Sequence, residues 1–545
     1  MIHQKDLIAF VRALANKRIA TSEQFLDFEK KLISQFKIQP PSNTDILEIY
    51  RQHKKQIKRN PYFDKKLNKR PVRSLSGVAV VSVLTKPYPC PGRCLYCPSE
   101  KGIPKSYLSG EPAVERAKSL RYNPYWQVKR RIEVLAKNGH PTDKIELIVI
   151  GGTWSYLPKK YQNWFIKRCF EGANEINSKG KNQKSKLQIK SKKITLASVQ
   201  HQNEAAKHRI IGITLETRPD YITPQEIRQM RHLGCTRVEI GVQTIDEKIL
   251  KLNQRGHGIK QIIDATRLLK NAGFKICYHL MPGLMGSNPK KDLETFQKIF
   301  SQPIYRPDMI KVYPCVVTSG SKLYRLWQQK KYKPYSDKKL IDLLVKIKSI
   351  IPPHVRVIRM IRDIPSQKIK GGSKISNLRE VVHQEMKKRK LKCRCIRCRE
   401  IKNITSPIKN LKLITRHFPA SGGQEFFLSF EDTRQDKLVA FLRLRLPQDN
   451  LDRTTPNLYK LLPVLQGAAI IRELHTYGAL VPIGQKKKAS QHLGLGKRLI
   501  CQAELIARDS GYKKIAVISG VGVRNYYRPL GYKLKDTYMI KNYLD

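Results

Sequence analysis

The chain has 545 residues, with 106 Lys and Arg against 43 Asp and Glu and a formal net charge of +63. That length excludes a single small core and predicts two or more domains. The charge argues against basic partners and for a polyanion, because phosphate contacts with Lys and Arg release counterions.

No run of about 18 uninterrupted apolar residues occurs, so no membrane-spanning helix is expected, and residues 1–19 lack the apolar region of a secretory signal. Of the 11 cysteines, six lie in two tight clusters. This predicts metal ligation in a reducing cytoplasm and not a disulfide framework.

Residues 1–70 carry helical patterns at 7–15 and 25–36, broken by Pro40 and Pro41, then a Lys-, Arg- and Pro-containing stretch at 54–71. This predicts a small basic helical module with an extended arm. From Gly77 the rhythm changes. Short β-branched runs at 78–84, 145–150, 209–215, 237–242, 274–281, 309–313 and 355–360 alternate with amphipathic stretches at 126–137, 224–233, 259–270 and 338–350. Such alternation predicts a parallel sheet with crossover helices, a partial or full βα barrel over 71–365. Residues 177–193, polar and apolar-poor, read as a surface excursion. Residues 366–415 are again polar and basic and read as a metal-binding linker. Strand patterns at 426–430, 438–445 and 469–476, a helix from about Leu495 and a final strand at 514–519 predict a separate mixed α/β domain over 416–545.

The first cysteine cluster, Cys90, Cys94 and Cys97 in PYPCPGRCLYCPSE, directly follows the first barrel strand. Strand C-terminal ends are where barrel active sites sit. Three thiolates on one loop hold a 4Fe–4S cluster with one iron open to S-adenosylmethionine, whose one-electron cleavage gives a 5′-deoxyadenosyl radical. A structural zinc loop is the competing reading, although zinc prefers four closed ligands. Tyr96 stands where it could stack on adenine. Gly151 and Gly152 end the second strand and let backbone approach a ligand, with Thr153 placed for the methionine amino group. Glu216 and Arg218 end the third strand as a charge pair suited to a ribose or carboxylate. Gln243 and His279, with Pro282-Gly283, complete the mouth.

The second cluster, Cys393, Cys395 and Cys398 in KCRCIRCRE, lies among Arg and Lys that favour thiolates and points to structural zinc. His383 is a candidate fourth ligand, and three unmetallated thiols remain the alternative. Further on, the loop Gln491-His492-Leu493-Gly494-Leu495-Gly496 precedes an amphipathic helix and offers backbone N–H groups and the positive dipole end to a pyrophosphate. A strand through Glu473 lies before it and another at 514–519 after it. That order is similar to GNAT acetyltransferases, where a strand splays open to admit pantetheine. Tyr527 falls where a departing thiolate needs a proton. Tyr526 reads equally well as core aromatic packing.

Together CPGRCLYCPSE, VIGGTW, ITLETRPDY, GCTRVEIGVQT, HLMPGLMG, IRELHTYG and VISGVGVRNYYRPLGY closely resemble the catalytic subunit family of the Elongator complex, from about Gly77 to the C-terminus. The resemblance implies a radical S-adenosylmethionine domain joined to a GNAT-type domain, installing a carboxymethyl group on carbon 5 of the wobble uridine of tRNA from acetyl-CoA. Carried over by position, Cys90, Cys94 and Cys97 match the cluster ligands. Lys144, Glu473, Leu474, His475, Thr476, Ser490, Gln491, His492 and Tyr527 match acetyl-CoA contacts, and the second cysteine cluster matches a zinc site. The compact first cluster resembles prokaryotic members, so accessory subunits are not assumed. The basic N-terminal module and barrel rim are expected to hold the anticodon stem-loop. A protein lysine acetyltransferase with a structural iron–sulfur domain is the rival expectation.

Overall fold

A computed structural model describes residues 4–17, 21–53, 56–57, 77–175, 194–401, 410–448, 455–477 and 494–543. The excursion at 177–193 and nearly all of the arm at 54–71 lie outside them. The N-terminal module has helices α1 (Gln4–Asn16), α2 (Ser22–Gln35) and α3 (Asn43–Gln52) around Phe10, Leu14, Phe25 and Tyr50. The third helix was not foreseen. Its start is fixed by a capping box in which Ser42 and Asp45 satisfy each other's backbone N–H groups.

The expected barrel takes its partial form. Strands β1 (Ala79–Leu84), β2 (Lys144–Ile150), β3 (Arg209–Thr217), β4 (Cys235–Gln243), β5 (Lys275–Leu280), β6 (Met309–Val312) and β7 (Arg356–Arg359) pair in chain order as one parallel sheet. Among the described residues, β1 and β7 do not pair with each other. The core behind the sheet, including Val81, Leu147, Leu215, Val238 and Ile310, is fully or almost fully buried. Crossover helices cover it. Helix α4 (Pro124–Lys137) starts at a proline behind an Asn123 cap, and α6 (Pro224–His232) repeats this with Thr223. Two crossovers not foreseen, α5 (Lys159–Asn174) and α8 (Pro289–Ser301), flank α6 and α7 (Ile259–Asn271) along the chain.

The second sheet runs β8 (Leu411–Pro419), β9 (Gly423–Asp432), β10 (Lys437–Pro447), β11 (Ala468–Thr476), β12 (Lys514–Val517), β14 (Tyr538–Asn542), β13 (Lys533–Lys535). Two expectations change here. The sheet begins at Leu411, inside the stretch read as linker, because β8 is a half-exposed edge strand whose apolar faces are diluted by Lys, Arg and His. The strand at 514–519 is not the last, since two short strands follow it.

The two sheets meet through buried charge. A bulge between Arg443 and Leu444 leaves Arg472 as the extra residue on β11. Its guanidinium, 1% exposed, crosses to Asp308 at 3.0 and 2.5 Å, Glu425 at 2.7 Å and the Phe274 carbonyl at 2.6 Å. Arg445 binds Glu425 at 3.1 Å, and Lys270 lies 3.8 Å from Asp308 and 3.5 Å from Glu425. Burial opposes ionisation of Asp308, but Arg472, Lys270 and Arg443 outweigh it and hold the carboxyl well below its usual range.

Candidate active site

The loop after β1 carries Cys90, Cys94 and Cys97. A Cβ on Gly92 would lie 3.5 Å from Cys94 Sγ and 3.7 Å from Cys90 Sγ, so both thiols face the same small space. The same Cβ would lie only 2.6 Å from Arg218 Nη1, so glycine is required for that guanidinium to reach the loop. Arg255 Nη1 donates to Cys94 Sγ at 3.0 Å, and Cys90 Sγ lies 3.7 Å from Thr153 Oγ1. Burial, then Cys94, pushes the Cys97 thiol up to about 12. Tyr96 is half-buried, its hydroxyl beside Arg255 and Cys94, and it lines the cavity below the loop.

The strand ends close round this loop. Gly151 and Gly152 have φ of +135° and +101°, and a Cβ on Gly151 would strike Thr85 Oγ1 at 2.1 Å. Glu216 and Arg218 do not pair with each other, a correction to the expectation. Glu216 accepts from the Tyr107 hydroxyl at 3.1 Å and faces Lys311 Nζ at 3.5 Å. Arg218 donates to both oxygens of Asp220 at 2.9 and 2.8 Å, which leaves its Nη1 buried without a hydrogen-bond partner. Gln243 sits at φ +70° with Oε1 likewise buried and unpartnered. Three thiols on one loop, an orphaned Arg218 nitrogen against it and an orphaned Gln243 oxygen in the cavity's lining fit an iron–sulfur cluster with an amino-acid ligand.

Below the loop, the half-barrel holds a cavity of about 1880 Å³. It runs from Cys90 and Thr153 past Glu239 and Lys311 to Glu146 and Arg356 at the N-terminal ends of the strands. Its polar centre was missed by sequence reasoning. Glu239, fully buried, contacts Lys311 Nζ and lies 2.9 Å from His279 Nε2, with Arg237 at 3.7 Å. Burial works against its charge, but Lys311, His279 and Arg237 hold the carboxyl well below the usual range. The signal was present: four charged or titratable residues placed inside β-branched strands.

The second cluster lines the same cavity. One sulfur from each of Cys393, Cys395 and Cys398 lies within 4.8 Å of the others, and His383 Nε2 is 3.8 Å from Cys398 Sγ. Hydrogen bonds from Cys393 and Cys398 hold the Cys395 thiol well below its usual range. This donor set fits a thiophilic ion.

In the C-terminal sheet β11 and β12 pair in parallel only from Ala468–Lys514 to Ile471–Val517. β12 then stops while β11 continues to Thr476, so the strands part. Where they part, Leu474 and the Tyr526 hydroxyl approach Gly496, lying 3.8 and 2.7 Å from a Cβ placed there, at the first turn of α9 (Leu495–Asp509). Gly494, at φ +68°, is the N-cap of that helix and has no side chain to cap it. Tyr526 is 41% exposed and Tyr527 6%, so Tyr526 is the tyrosine that reaches the loop while Tyr527 packs its ring against Tyr526 and Tyr532. Glu473 accepts from Arg443 at 2.9 Å. His475 is half-buried against Phe441 and Tyr477, its Nε2 buried and unpartnered, and desolvation, then Arg356, pushes it down to about 4. Ser490, Gln491 and His492 lie outside the described residues. Lys144 begins β2 beside Arg209, against which Gly522 packs, so it lies at the sheet end that meets the C-terminal unit. Burial pushes its ammonium down.

Residues 88–299 match the Radical SAM superfamily and residues 307–388 the Radical_SAM C-terminal domain. The half-barrel is therefore a radical SAM domain. The chain is 42% identical to the tRNA uridine(34) acetyltransferase of Methanocaldococcus infernus, covering 97% of this chain and 99% of that one. It is 39% identical to Elongator complex protein 3 of Homo sapiens, covering 87% and 86%. The solved archaeal Methanocaldococcus infernus Elp3 with an N-terminal deletion superposes with a TM-score of 0.71 at 41% identity, covering 86% of this chain and all of that one. The chain belongs to the family of tRNA uridine(34) acetyltransferases and Elongator complex protein 3. Among the described residues no helix is long and apolar enough to cross a membrane.

Proposed function

We propose that the chain is a cytoplasmic enzyme that forms 5-carboxymethyluridine at the wobble position of tRNA, with S-adenosylmethionine and acetyl-CoA as co-substrates. The observation that carries this reading is the continuous cavity. It has the three-cysteine loop at one end, and at the other Arg356, whose Nη1 donates at 2.6 Å to the Tyr477 hydroxyl just beyond the β11 end. Tyr477 follows Thr476, the last of the residues assigned to acetyl-CoA on that strand, and this supports a reading in which the two cofactor regions communicate.

A 4Fe–4S cluster with S-adenosylmethionine supplies, when bound, one-electron reduction of the sulfonium and so hydrogen-atom abstraction. Cys90, Cys94 and Cys97 ligate it. Arg218 Nη1 takes the methionine carboxylate, Thr153 and Gln243 take the amino group, and Glu216 the ribose. In the GNAT-like cleft the backbone of Glu473–Thr476, the loop at Ser490–His492 and the N–H groups at Gly494–Gly496 hold acetyl-CoA, and Tyr527 or the nearer Tyr526 meets its thiolate. Lys144 serves acetyl-CoA from the barrel side. Cys393, Cys395 and Cys398 hold zinc with His383 as fourth ligand. We assign residues 1–70 to tRNA binding, 71–365 to the radical domain, 366 to about 410 to the metal-bearing linker and the remainder to acetyl-CoA. The anticodon stem-loop docks at the barrel mouth.

A protein lysine acetyltransferase is disfavoured, because a chain of net charge +63 repels Lys-rich tails. The test is thioester hydrolysis: acetyl-CoA turnover is expected only when tRNA is added. Turnover indifferent to tRNA, with acetyl transfer to a Lys-rich peptide, would contradict the proposal.

A further inference from the structure

Five aromatic residues stand outside the cavity, on the rim beside the first cysteine loop. Tyr88 lies two residues before Cys90 and Tyr156 three after Thr153, while Tyr221 follows the Arg218–Asp220 pair. Their rings form a chain. Tyr88 and Tyr156 centroids are 6.3 Å apart at 65°, and Tyr156 and Tyr221 are 6.0 Å apart at 89°. Next to them along the chain, Tyr161 and Trp164 lie 5.5 Å apart at 31°, with the Lys86 ammonium 5.1 Å from the Tyr161 ring centre.

Aromatic clusters usually fill cores. This one faces water: Tyr88 is 37% exposed, Tyr156 41% and Trp164 43%. Each edge-to-face contact covers at most one face of one ring and leaves the rest of the pair's aromatic surface to the solvent side. The occupant follows from charge and position. A chain of net charge +63 gathers polyanions, and unpaired RNA bases bind by stacking on aromatic faces with cations on the backbone. A paired stem offers no free base face.

We propose that Tyr88 and Tyr156, backed by Tyr221 and flanked by Lys86, Tyr161 and Trp164, form a stacking platform for unpaired nucleobases next to the base that enters the barrel. This rests on the reading that RNA is the substrate. The platform explains how a loop is held while one base leaves the stack: the neighbours exchange base stacking for ring stacking, which lowers the cost of extrusion.

The test compares an RNA hairpin bearing an unpaired loop with the same stem closed as a blunt duplex. Binding is measured by fluorescence anisotropy for the wild-type protein, the double variant Tyr88→Ala/Tyr156→Ala, and Tyr88→Phe/Tyr156→Phe. Hairpin affinity is expected to fall roughly tenfold to a hundredfold in the Ala variant. The Phe variant should bind like wild type, because the ring and not the hydroxyl does the stacking. Duplex affinity and the salt slope of hairpin binding should hold, since no phosphate contact is removed. Unchanged hairpin affinity in the Ala variant overturns the platform, as does an equal loss for the duplex. The two readings separate cleanly. A wild-type protein that modifies tRNA but whose hairpin affinity ignores both tyrosines refutes the platform alone. If hairpin binding depends on the rings but every uridine stays unmodified, the platform stands and the proposed reaction falls.

Discussion

At the scale of single residues, the site is built by atoms that have nowhere else to go. Arg218 spends two donors on Asp220 and keeps Nη1 buried and unpartnered against the cysteine loop. That placement depends on Gly92, where a Cβ would stand 2.6 Å from the same nitrogen. Gly92→Ala should therefore displace the guanidinium without removing a thiol. S-adenosylmethionine binding to the anaerobically reconstituted protein is expected to weaken about tenfold to a hundredfold, the worth of a hydrogen bond to a charged group. Iron–sulfur absorbance should persist. Unchanged binding would show that Arg218 does not meet the ligand. The cysteines and glycines were legible in the sequence because their spacing is local. The partners of Glu216 were not, because Tyr107 and Lys311 reach it from other elements. Nor was it legible that Tyr526 is exposed and Tyr527 packed, because two adjacent tyrosines on a short helix point in different directions and only the packed sheet decides which one is exposed.

At the scale of elements, the interdomain network joins β11 to the residue that opens β6, the strand carrying Lys311. Arg472 is shared by Asp308 and Glu425 with almost no exposure. Arg472→Met leaves two carboxylates buried, and should cost about 3–5 kcal/mol of stability in denaturant unfolding. Lys270→Met should cost clearly less. Burial already disfavours the Lys270 ammonium, pushed down to about 8, against about 10.4 in an unfolded chain. Between those values the folded state holds fewer protons, so stability contributed at this site rises with pH from about 8 to 10. Lys270→Met should abolish that rise, and a rise that survives would remove Lys270 from the account. The carboxylates act oppositely. Asp308 and Glu425 are held low, so their contribution is complete above the ordinary carboxylate range and is lost as pH falls below it. All seven barrel strands were readable, since each carries a short run rich in Val and Ile that turn signals bound. β8 was not, because an exposed edge strand carries the composition of a linker.

At the scale of the whole molecule, charge and topology converge on one reading. The half-barrel leaves a side open, its interior runs from the cysteine loop to Arg356, which hydrogen-bonds the Tyr477 hydroxyl of the second unit, and the surrounding surface attracts a polyanion. The passage itself was invisible in the sequence, because it depends on how two separately legible units dock. The most direct measurement is anaerobic incubation of reconstituted protein with tRNA, acetyl-CoA, S-adenosylmethionine and a reductant, followed by nucleoside mass spectrometry. Carboxymethyluridine should appear with wild-type protein and vanish with Cys94→Ala. Carboxymethyluridine formed equally by Cys94→Ala, or absent with a fully loaded wild-type protein that still hydrolyses acetyl-CoA with tRNA, would contradict the coupling of the two sites.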